Sequence, residues 1–179
     1  MADIRVLLVD DHECVTEGLQ KMIDGQDGMA VVGSADRAID GLNKATSLRP
    51  DIILTDIRMP EMDGVVFTRR VKELGLKCRI IILTMFEEYI SVGMDAGASG
   101  YLLKDVKRQD LGEAIRKVHE GHTVIAAAIL QMEFHFDAQQ MKLVGDGRVL
   151  LLDELLGRAD ELPPELQELL IKFAAFMGR

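Results

Sequence analysis

Acidic side chains follow two apolar segments that are rich in β-branched residues. Asp10 and Asp11 come directly after Ile4–Val9, and Asp56 comes directly after Asp51–Thr55. Carboxylates about 4 Å apart repel one another by several kcal/mol at an effective dielectric constant near 20, so a cluster of them needs protons or a cation. A hard divalent ion fits oxygen ligands, and Mg²⁺ usually takes one or two carboxylates together with a phosphate. The pattern therefore predicts a Mg²⁺ site that works on phosphoryl groups.

Two further segment ends supply groups that complement a phosphate. Thr84 follows Ile80–Leu83 and offers a hydroxyl donor, and Lys104 follows Tyr101–Leu103 and offers an ammonium group. A phosphoryl group carries about −1.5 to −2 charge and three strong acceptor oxygens, which these donors match. An aspartate nucleophile with a metal, a hydroxyl and a lysine is typical of an aspartyl-phosphate site.

The elements that must position these groups alternate between strand-like and helix-like patterns over the first 120 or so residues. This alternation predicts a parallel sheet with helices on both faces, in the doubly wound α/β class. The predicted strands are Ile4–Val9, Met29–Gly33, Asp51–Thr55, Arg79–Leu83 and Gly100–Leu103. Helices are expected on the apolar faces Val15/Leu19/Met22, Phe67/Val71/Leu74 and Leu111/Ile115/Val118, and over Arg37–Leu48 and Glu87–Ala96.

The pattern changes near residue 125, which predicts one domain at 1–125 that carries the acidic residues and a small α+β module at 126–179. Met141–Val144 and Arg148–Leu152 flank Gly145-Asp146-Gly147, which predicts a hairpin. An amphipathic helix is expected after Pro163 and Pro164; its apolar positions are Leu166, Leu169, Leu170, Phe173, Phe176 and Met177. This module is a candidate for protein interaction or dimerisation, or for packing on its own hairpin or on the first domain.

Charge and composition exclude several classes of protein. The net charge is −9, and both parts are acidic: residues 1–125 carry 16 Lys and Arg against 21 Asp and Glu, and residues 126–179 carry 5 against 9. This balance argues against a broad DNA-binding surface. The sequence has no apolar stretch of the roughly 18 residues needed to span a bilayer and no export signal, so a cytoplasmic protein is expected. The four histidines have no metal-ligand spacing and are interpreted as surface residues; they are His12, His119, His122 and His135.

Taken together, the chemical groups resemble the receiver domain of two-component response regulators. Asp10-Asp11, then Asp56 with Pro60 and Gly64 in an Asp-x-x-x-Pro-x-x-x-Gly arrangement, then Thr84, then Lys104 carry the resemblance. The run Asp95–Asp105 is similar to the NarL/FixJ branch of that family. The resemblance covers roughly residues 3 to 124 and implies a flavodoxin-like fold with a five-stranded parallel sheet in the order 2-1-3-4-5.

The resemblance also implies a role for each residue. Asp56 would accept a phosphoryl group from the phosphohistidine of a sensor kinase or a phosphotransfer protein, or from a small phosphodonor. Mg²⁺ would be bound by Asp11 and Asp56, by Asp10 through water and by the backbone carbonyl of Arg58. Thr84 and Lys104 would contact the phosphoryl oxygens. Thr84 and Tyr101 would be the switch residues that alter a surface for a downstream protein target, and the protein would be a phosphoacceptor rather than an enzyme.

The end of the chain departs from the family pattern. NarL/FixJ-like regulators usually end in a basic helix-turn-helix domain of some 60 residues, whereas residues 126–179 carry five scattered basic residues. Direct contact with DNA is therefore not expected. A homodimer stays open, and a transcriptional regulator that acts with a DNA-binding partner is an alternative function.

Other interpretations of the same residues stay open at this point. Each acid taken alone is explained as a helix cap or a turn carboxylate, because an Asp before a helix satisfies its first amide groups. A haloacid-dehalogenase-type phosphatase also uses an aspartyl phosphate, Mg²⁺, a hydroxyl and a lysine, but it needs an Asp-x-Asp arrangement and position 12 is His. A receiver that never takes phosphate is a third alternative.

Overall fold

A computed structural model describes residues 3–85, 90–126 and 149–151 of the 179-residue chain. Strands and helices alternate through these residues. The elements in chain order are β1 (Ile4–Val9), α1 (Glu13–Asp24), β2 (Met29–Ala35), α2 (Ala38–Leu48), β3 (Ile52–Asp56), α3 (Gly64–Glu73), β4 (Arg79–Thr84), α4 (Ile90–Asp95), β5 (Gly100–Leu103), α5 (Arg108–Glu120), β6 (Val124–Ala126) and β7 (Val149–Leu151).

One sheet contains all the described strands, in the order β2-β1-β3-β4-β5-β6-β7. Strands β1 to β6 pair in parallel, and β7 pairs antiparallel with β6. Strand β1 lies between β2 and β3 in the sheet, so the chain winds outward from β1 first on the side of β2 and then on the side of β3, and the direction of winding reverses there. Ligands of doubly wound folds bind at such a point, outside the carboxyl ends of the strands.

The central strands are buried on both faces, which explains their nearly continuous apolar sequence. Successive residues alternate between the two sides, as side chains of a strand must. Val6 and Leu8 pack in the cluster that includes residues of α1 and α5, and Leu7 and Val9 pack in the cluster with residues of α2 and α3. A third cluster, on the side of α4, contains Tyr101.

Local sequence features set the helix boundaries that matter for the site. The Asp63 side chain caps α3 by accepting a hydrogen bond of 2.8 Å from the amide of Val66. α2 ends at Arg49, which has a left-handed backbone (φ 48°), and α5 ends at Gly121 (φ 110°). The left-handed conformation closes a helix by turning the chain away from its axis.

The predicted doubly wound α/β fold is confirmed, and all five predicted strands are present within two residues of their expected ends. One helical position was wrong: Leu74 was expected on the buried face of α3, but its side chain is 56% exposed because the helix ends there. The sheet also continues past the five predicted strands through β6 and β7.

The C-terminal predictions are only partly covered by the described residues. Strand β7 (Val149–Leu151) lies within the segment Arg148–Leu152 that was expected to be extended. The other half of the predicted hairpin, at 141–144, and the predicted amphipathic helix at 163–177 lie outside the described residues. In the part of the chain that is described, no helix is long and apolar enough to cross a bilayer.

Candidate functional site

The three predicted acids lie together at the carboxyl ends of β1 and β3, at the point where the winding reverses. Asp56 is the last residue of β3, and Asp10 and Asp11 follow the last residue of β1. Because Val9 pairs with Thr55 across the two strands, the acids that follow them are adjacent in space. Asp10 and Asp56 are only 4% and 5% exposed, whereas the Asp11 side chain is 26% exposed.

Lys104 joins the two buried carboxylates. Its Nζ lies 2.7 Å from Asp10 Oδ2 and 2.8 Å from Asp56 Oδ2, and its own side chain is 11% exposed. Its backbone amide donates to the carbonyl of Thr84 at 2.9 Å, which fixes the backbone of Lys104 relative to the end of β4. Burial acts to lower the pKa of the Lys104 ammonium, but the hydrogen bonds and charges of Asp10 and Asp56 outweigh it and raise that pKa above its usual value.

The remaining oxygens of the cluster are held by backbone amides or left without a hydrogen-bond donor. Asp56 Oδ1 accepts from the amide of Ile57 at 2.7 Å, and Asp10 Oδ1 accepts from the amide of His12 at 2.9 Å. The His12 Nδ1 atom lies 3.0 Å from Asp10 Oδ1 and 3.0 Å from Asp11 Oδ1. No hydrogen bond to Asp11 accompanies this short distance, and among the described residues Asp11 Oδ1 is a buried oxygen atom without a hydrogen-bond partner.

These residues fit a divalent cation. Three carboxylates face a single ammonium group, so two negative charges are left over while His12 is neutral. One ligand atom from each of Asp10, Asp11, His12 and Asp56 lies within 4.8 Å of the others. A buried carboxylate oxygen without a donor is costly unless a cation or water satisfies it. Oxygen ligands of this kind suit Mg²⁺.

The loop after Asp56 has a shape that depends on Gly64. The amide of Gly64 donates to the carbonyl of Ile57 at 2.8 Å and closes the loop that contains Arg58 and Pro60. A Cβ atom at position 64 would lie 2.2 Å from the carbonyl oxygen of Asp56, so a side chain here would push the loop away from the site. This explains why a glycine stands eight residues after Asp56.

The predicted switch residues are both fully buried. Thr84 is the last residue of β4 and is 0% exposed, and Tyr101 in β5 is also 0% exposed. Tyr101 packs in the third cluster with Ile57, which directly follows Asp56. The structure therefore places Tyr101 and the residue after Asp56 in the same apolar cluster.

The structure brings Asp10 and Asp56 into direct contact with Lys104 and places Asp11 in the same acidic cluster. It places Thr84 beside Lys104 through a backbone hydrogen bond. Arg58 lies in the loop two residues after Asp56, with an exposed side chain. Helix capping does not explain the acids at β1, because the N-cap of α1 is His12 and that position makes no side-chain capping bond.

Sequence reasoning missed two contacts near the site. His12 was interpreted as a surface histidine, but its ring lies against Asp10 and Asp11; its position directly after the acidic pair was the available signal. Arg37, before α2, forms an ion pair with Glu61 of the loop after β3, and Glu61 has a left-handed backbone (φ 68°). The Glu61 carboxylate raises the pKa of the Arg37 guanidinium. No sequence pattern links these two residues.

Comparison with known proteins gives a consistent result. Residues 6–116 match the profile of the response regulator receiver domain family. The response regulator protein VraR of Staphylococcus epidermidis is 37% identical over 129 residues, which are 71% of this chain and 62% of that protein. The chain thus spans less than two thirds of the length of this curated relative.

Two solved structures with the same fold each cover nearly three quarters of the chain. A two-component response regulator of the LuxR family from Aurantimonas sp. SI85-9A1 is 32% identical, with a TM-score of 0.68 over 73% of this chain and 94% of that one. The isolated receiver domain of RcsB from Salmonella enterica serovar Typhimurium, with the phosphomimetic BeF₃⁻, is 25% identical, with a TM-score of 0.66 over 72% of this chain and 97% of that one.

Proposed function

Because the chain belongs to the response regulator receiver domain family, we propose that it is the phosphoacceptor switch of a two-component pathway, with Asp56 as the residue that takes the phosphoryl group. The observation that carries this proposal is the contact of one largely enclosed ammonium, Lys104 (11% exposed), with both buried carboxylates, Asp10 and Asp56, at 2.7 and 2.8 Å. Burying charged groups in this way costs folding free energy, and such clusters occur most often at functional sites.

Asp56 is oriented for attack by contacts to both of its oxygens. Oδ1 is held by the amide of Ile57 and Oδ2 by Lys104. A fixed nucleophile has less orientational freedom to lose on the way to the transition state. In the reaction a carboxylate oxygen of Asp56 forms a bond to phosphorus while the P–N bond to the donor histidine breaks, and the imidazole leaves with the bonding electrons. With a small acyl phosphate, a P–O bond breaks and the carboxylate leaves.

The other residues of the site serve binding and charge compensation. Asp11 and Asp56, the Arg58 carbonyl and, through water, Asp10 would hold Mg²⁺, which neutralises negative charge on the phosphoryl group when bound. Lys104 is placed to exchange its contact with Asp56 for a phosphoryl oxygen, and the Thr84 hydroxyl is proposed to contact another. Thr84 and Tyr101 are the proposed switch residues, and the phosphorylated state would be favoured by its additional contacts.

The partners follow from the same proposal. A sensor histidine kinase or a phosphotransfer protein would supply the phosphoryl group in the cytoplasm, and a downstream protein would bind the altered surface. We propose a receiver at 1–125 and a small module at 126–179 that acts through protein contacts or self-association. The acidic balance of both parts disfavours direct DNA contact, so a transcriptional role would need a DNA-binding partner.

The test is adduct formation in the presence of Mg²⁺. With acetyl phosphate we expect a single added phosphoryl group by intact mass, labile to hydroxylamine as acyl phosphates are, and beryllofluoride should stabilise the protein against unfolding. Asp56→Asn should abolish both effects. Asp51→Asn is the matched control, because Asp51 lies at the opposite end of the sheet and should leave both effects intact.

Two results would contradict the proposal. An adduct that persists in Asp56→Asn would place the nucleophile elsewhere. Steady turnover of small phosphomonoesters without an accumulating adduct would support a phosphatase instead.

A further inference from the structure

The chain adds strand β6 to the edge of the strand that carries Tyr101. Gly100 and Tyr101 of β5 pair in parallel with Val124 and Ile125 of β6, and the amide of Val124 donates to the carbonyl of Ser99 at 3.1 Å. β7 then pairs antiparallel with β6. The start of the C-terminal region is therefore part of the same sheet as the acidic site.

The first two side chains of β6 face opposite sides of the sheet. Val124 is 0% exposed and packs in the cluster that includes Leu111 and Ile115 of α5. Ile125 is 2% exposed and packs in the cluster that contains Tyr101. Neighbouring residues of one short strand thus contact two different parts of the protein, which provides a matched pair for comparison.

Ile125 stands in a row of cross-strand neighbours that begins next to Asp56. Thr55 pairs with Ile82, Ile82 with Tyr101, and Tyr101 with Ile125. Directly opposed residues of adjacent strands lie on the same face, and their side chains are close enough to interact. Cross-strand pairing therefore runs from the residue before Asp56 to β6, and three members of the row, Ile82, Tyr101 and Ile125, pack in one apolar cluster.

α4 confines the Tyr101 ring from above the sheet. A Cβ atom at Gly93 of α4 would lie 2.7 Å from Ile82 Cδ1 and 3.2 Å from Tyr101 Cε2, so the helix backbone is close to the ring. With α4 above it and Ile82 and Ile125 as its cross-strand neighbours, the ring occupies a site built from three elements. Removing a side chain from this site opens space beside the ring.

We propose that Ile125 is a positioning residue for the phosphoacceptor site: it stabilises the buried position of Tyr101 and thereby couples the β6 strand to Asp56. The coupling rests on the proposed function, in which Tyr101 is a switch residue and its buried position is taken as the one that the phosphorylated state favours. Linkage requires the effect to be reciprocal, so the occupied acidic site must also strengthen the pairing of β6 with β5. The C-terminal region then follows the state of Asp56 through sheet pairing.

The experiment compares Ile125→Ala with Val124→Ala in the full chain. Both variants remove buried apolar atoms and lower the free energy of unfolding, but only Ile125→Ala removes a neighbour of Tyr101. We expect Ile125→Ala to weaken beryllofluoride binding at saturating Mg²⁺ by roughly three- to thirtyfold, the range found when coupling residues are changed. Val124→Ala should stay within about twofold of the wild type, and Ile125→Val should have a smaller effect than Ile125→Ala.

The reciprocal measurement is amide hydrogen exchange at residues 124–126 of the wild-type chain. Beryllofluoride should slow exchange there, and the slowing should be lost in Ile125→Ala. Equal affinities for beryllofluoride in Ile125→Ala, Ile125→Val and the wild type would overturn the positioning role, as would an equal loss in Val124→Ala. Failure of the wild-type chain to bind beryllofluoride would instead overturn the proposed function, and the coupling with it.

Discussion

The two ends of the parallel sheet both carry aspartate and lysine residues, but these residues differ in burial and in how their charges are compensated. At the carboxyl end, Asp10 and Asp56 are buried against a Lys104 side chain that is 11% exposed, and the acids outnumber the ammonium group. At the amino end, Asp51 accepts a hydrogen bond of 2.9 Å from the amide of Arg5, and Lys77 is exposed. At the carboxyl end, negative charge exceeds positive charge in a buried cluster. At the amino end, the Asp51 carboxylate accepts from a backbone donor and Lys77 is exposed to solvent.

A crevice in the surface does not by itself identify the end of the sheet that carries the acidic site. A crevice of about 460 Å³ lies at the amino end, lined by residues that include Arg49, Asp51, Lys77 and Cys78. Burial raises the pKa of the Cys78 thiol, which keeps it protonated and poorly nucleophilic near neutral pH. Buried charge therefore distinguishes the carboxyl end of the sheet, whereas the crevice at the amino end is lined by a thiol that burial keeps protonated.

The largest expected difference between the ends comes from removing one lysine. Lys104→Met leaves Asp10 and Asp56 buried without their shared cation, and breaking a buried ion pair costs about 3 kcal/mol or more. Lys77→Met at the amino end removes an exposed charge and should change the free energy of unfolding by less than about 0.5 kcal/mol. Urea unfolding at neutral pH without divalent ions measures both. Equal changes in the free energy of unfolding for the two substitutions would show that the contacts of Lys104 with Asp10 and Asp56 do not stabilise the fold.

A smaller effect of opposite sign is expected at Asp11. Asp11→Asn removes one charge from the acidic excess and leaves the Lys104 contacts in place, so it should stabilise the metal-free protein by about 1 kcal/mol, as substitutions at strained functional sites often do. The same substitution should abolish the stabilisation by Mg²⁺, which for the wild type reaches about 2.7 kcal/mol at 100 times the dissociation constant.

Asp51→Asn is the control for that substitution, because the Asp51 carboxylate accepts a hydrogen bond from the backbone amide of Arg5 and does not belong to the acidic cluster. It should leave the stability within about 0.5 kcal/mol of the wild type and leave the response to Mg²⁺ unchanged. Destabilisation by Asp11→Asn without Mg²⁺ would mean that the repulsion inferred at the carboxyl end is already compensated.

The sequence predicted those features that depend on local pattern. Strong β-branched runs identified the five strands, and the rule that ligands bind at the carboxyl ends of parallel strands placed Asp10, Asp56 and Lys104 together. Strand β6 was missed because it has only three residues and forms by pairing with β5. The contacts of His12 and the Arg37–Glu61 pair were missed because they depend on loop geometry, which no spacing in the sequence specifies.

The smallest expected effect is the pH dependence of the Lys104 contribution. Asp10 and Asp56 raise the pKa of Lys104 in the folded protein, so the folded state keeps this proton to a higher pH than the unfolded state, where lysine titrates near about 10.4. The stabilisation is then fully present below that value and is lost as the pH rises through the folded pKa.

Measured as the difference in free energy of unfolding between the wild type and Lys104→Met, this contribution should be constant between about pH 7 and about pH 9.5 and should shrink above about pH 10.5. The difference between the wild type and Lys77→Met should not show this loss, because that lysine is exposed at the amino end and has no buried carboxylate to hold its proton. A decline of the Lys104 contribution already between about pH 8 and about pH 9 would show that burial outweighs the two carboxylates. In that case desolvation, rather than pairing with the two carboxylates, would dominate the ionisation of Lys104. The contrast between the two ends of the sheet would then rest on burial alone.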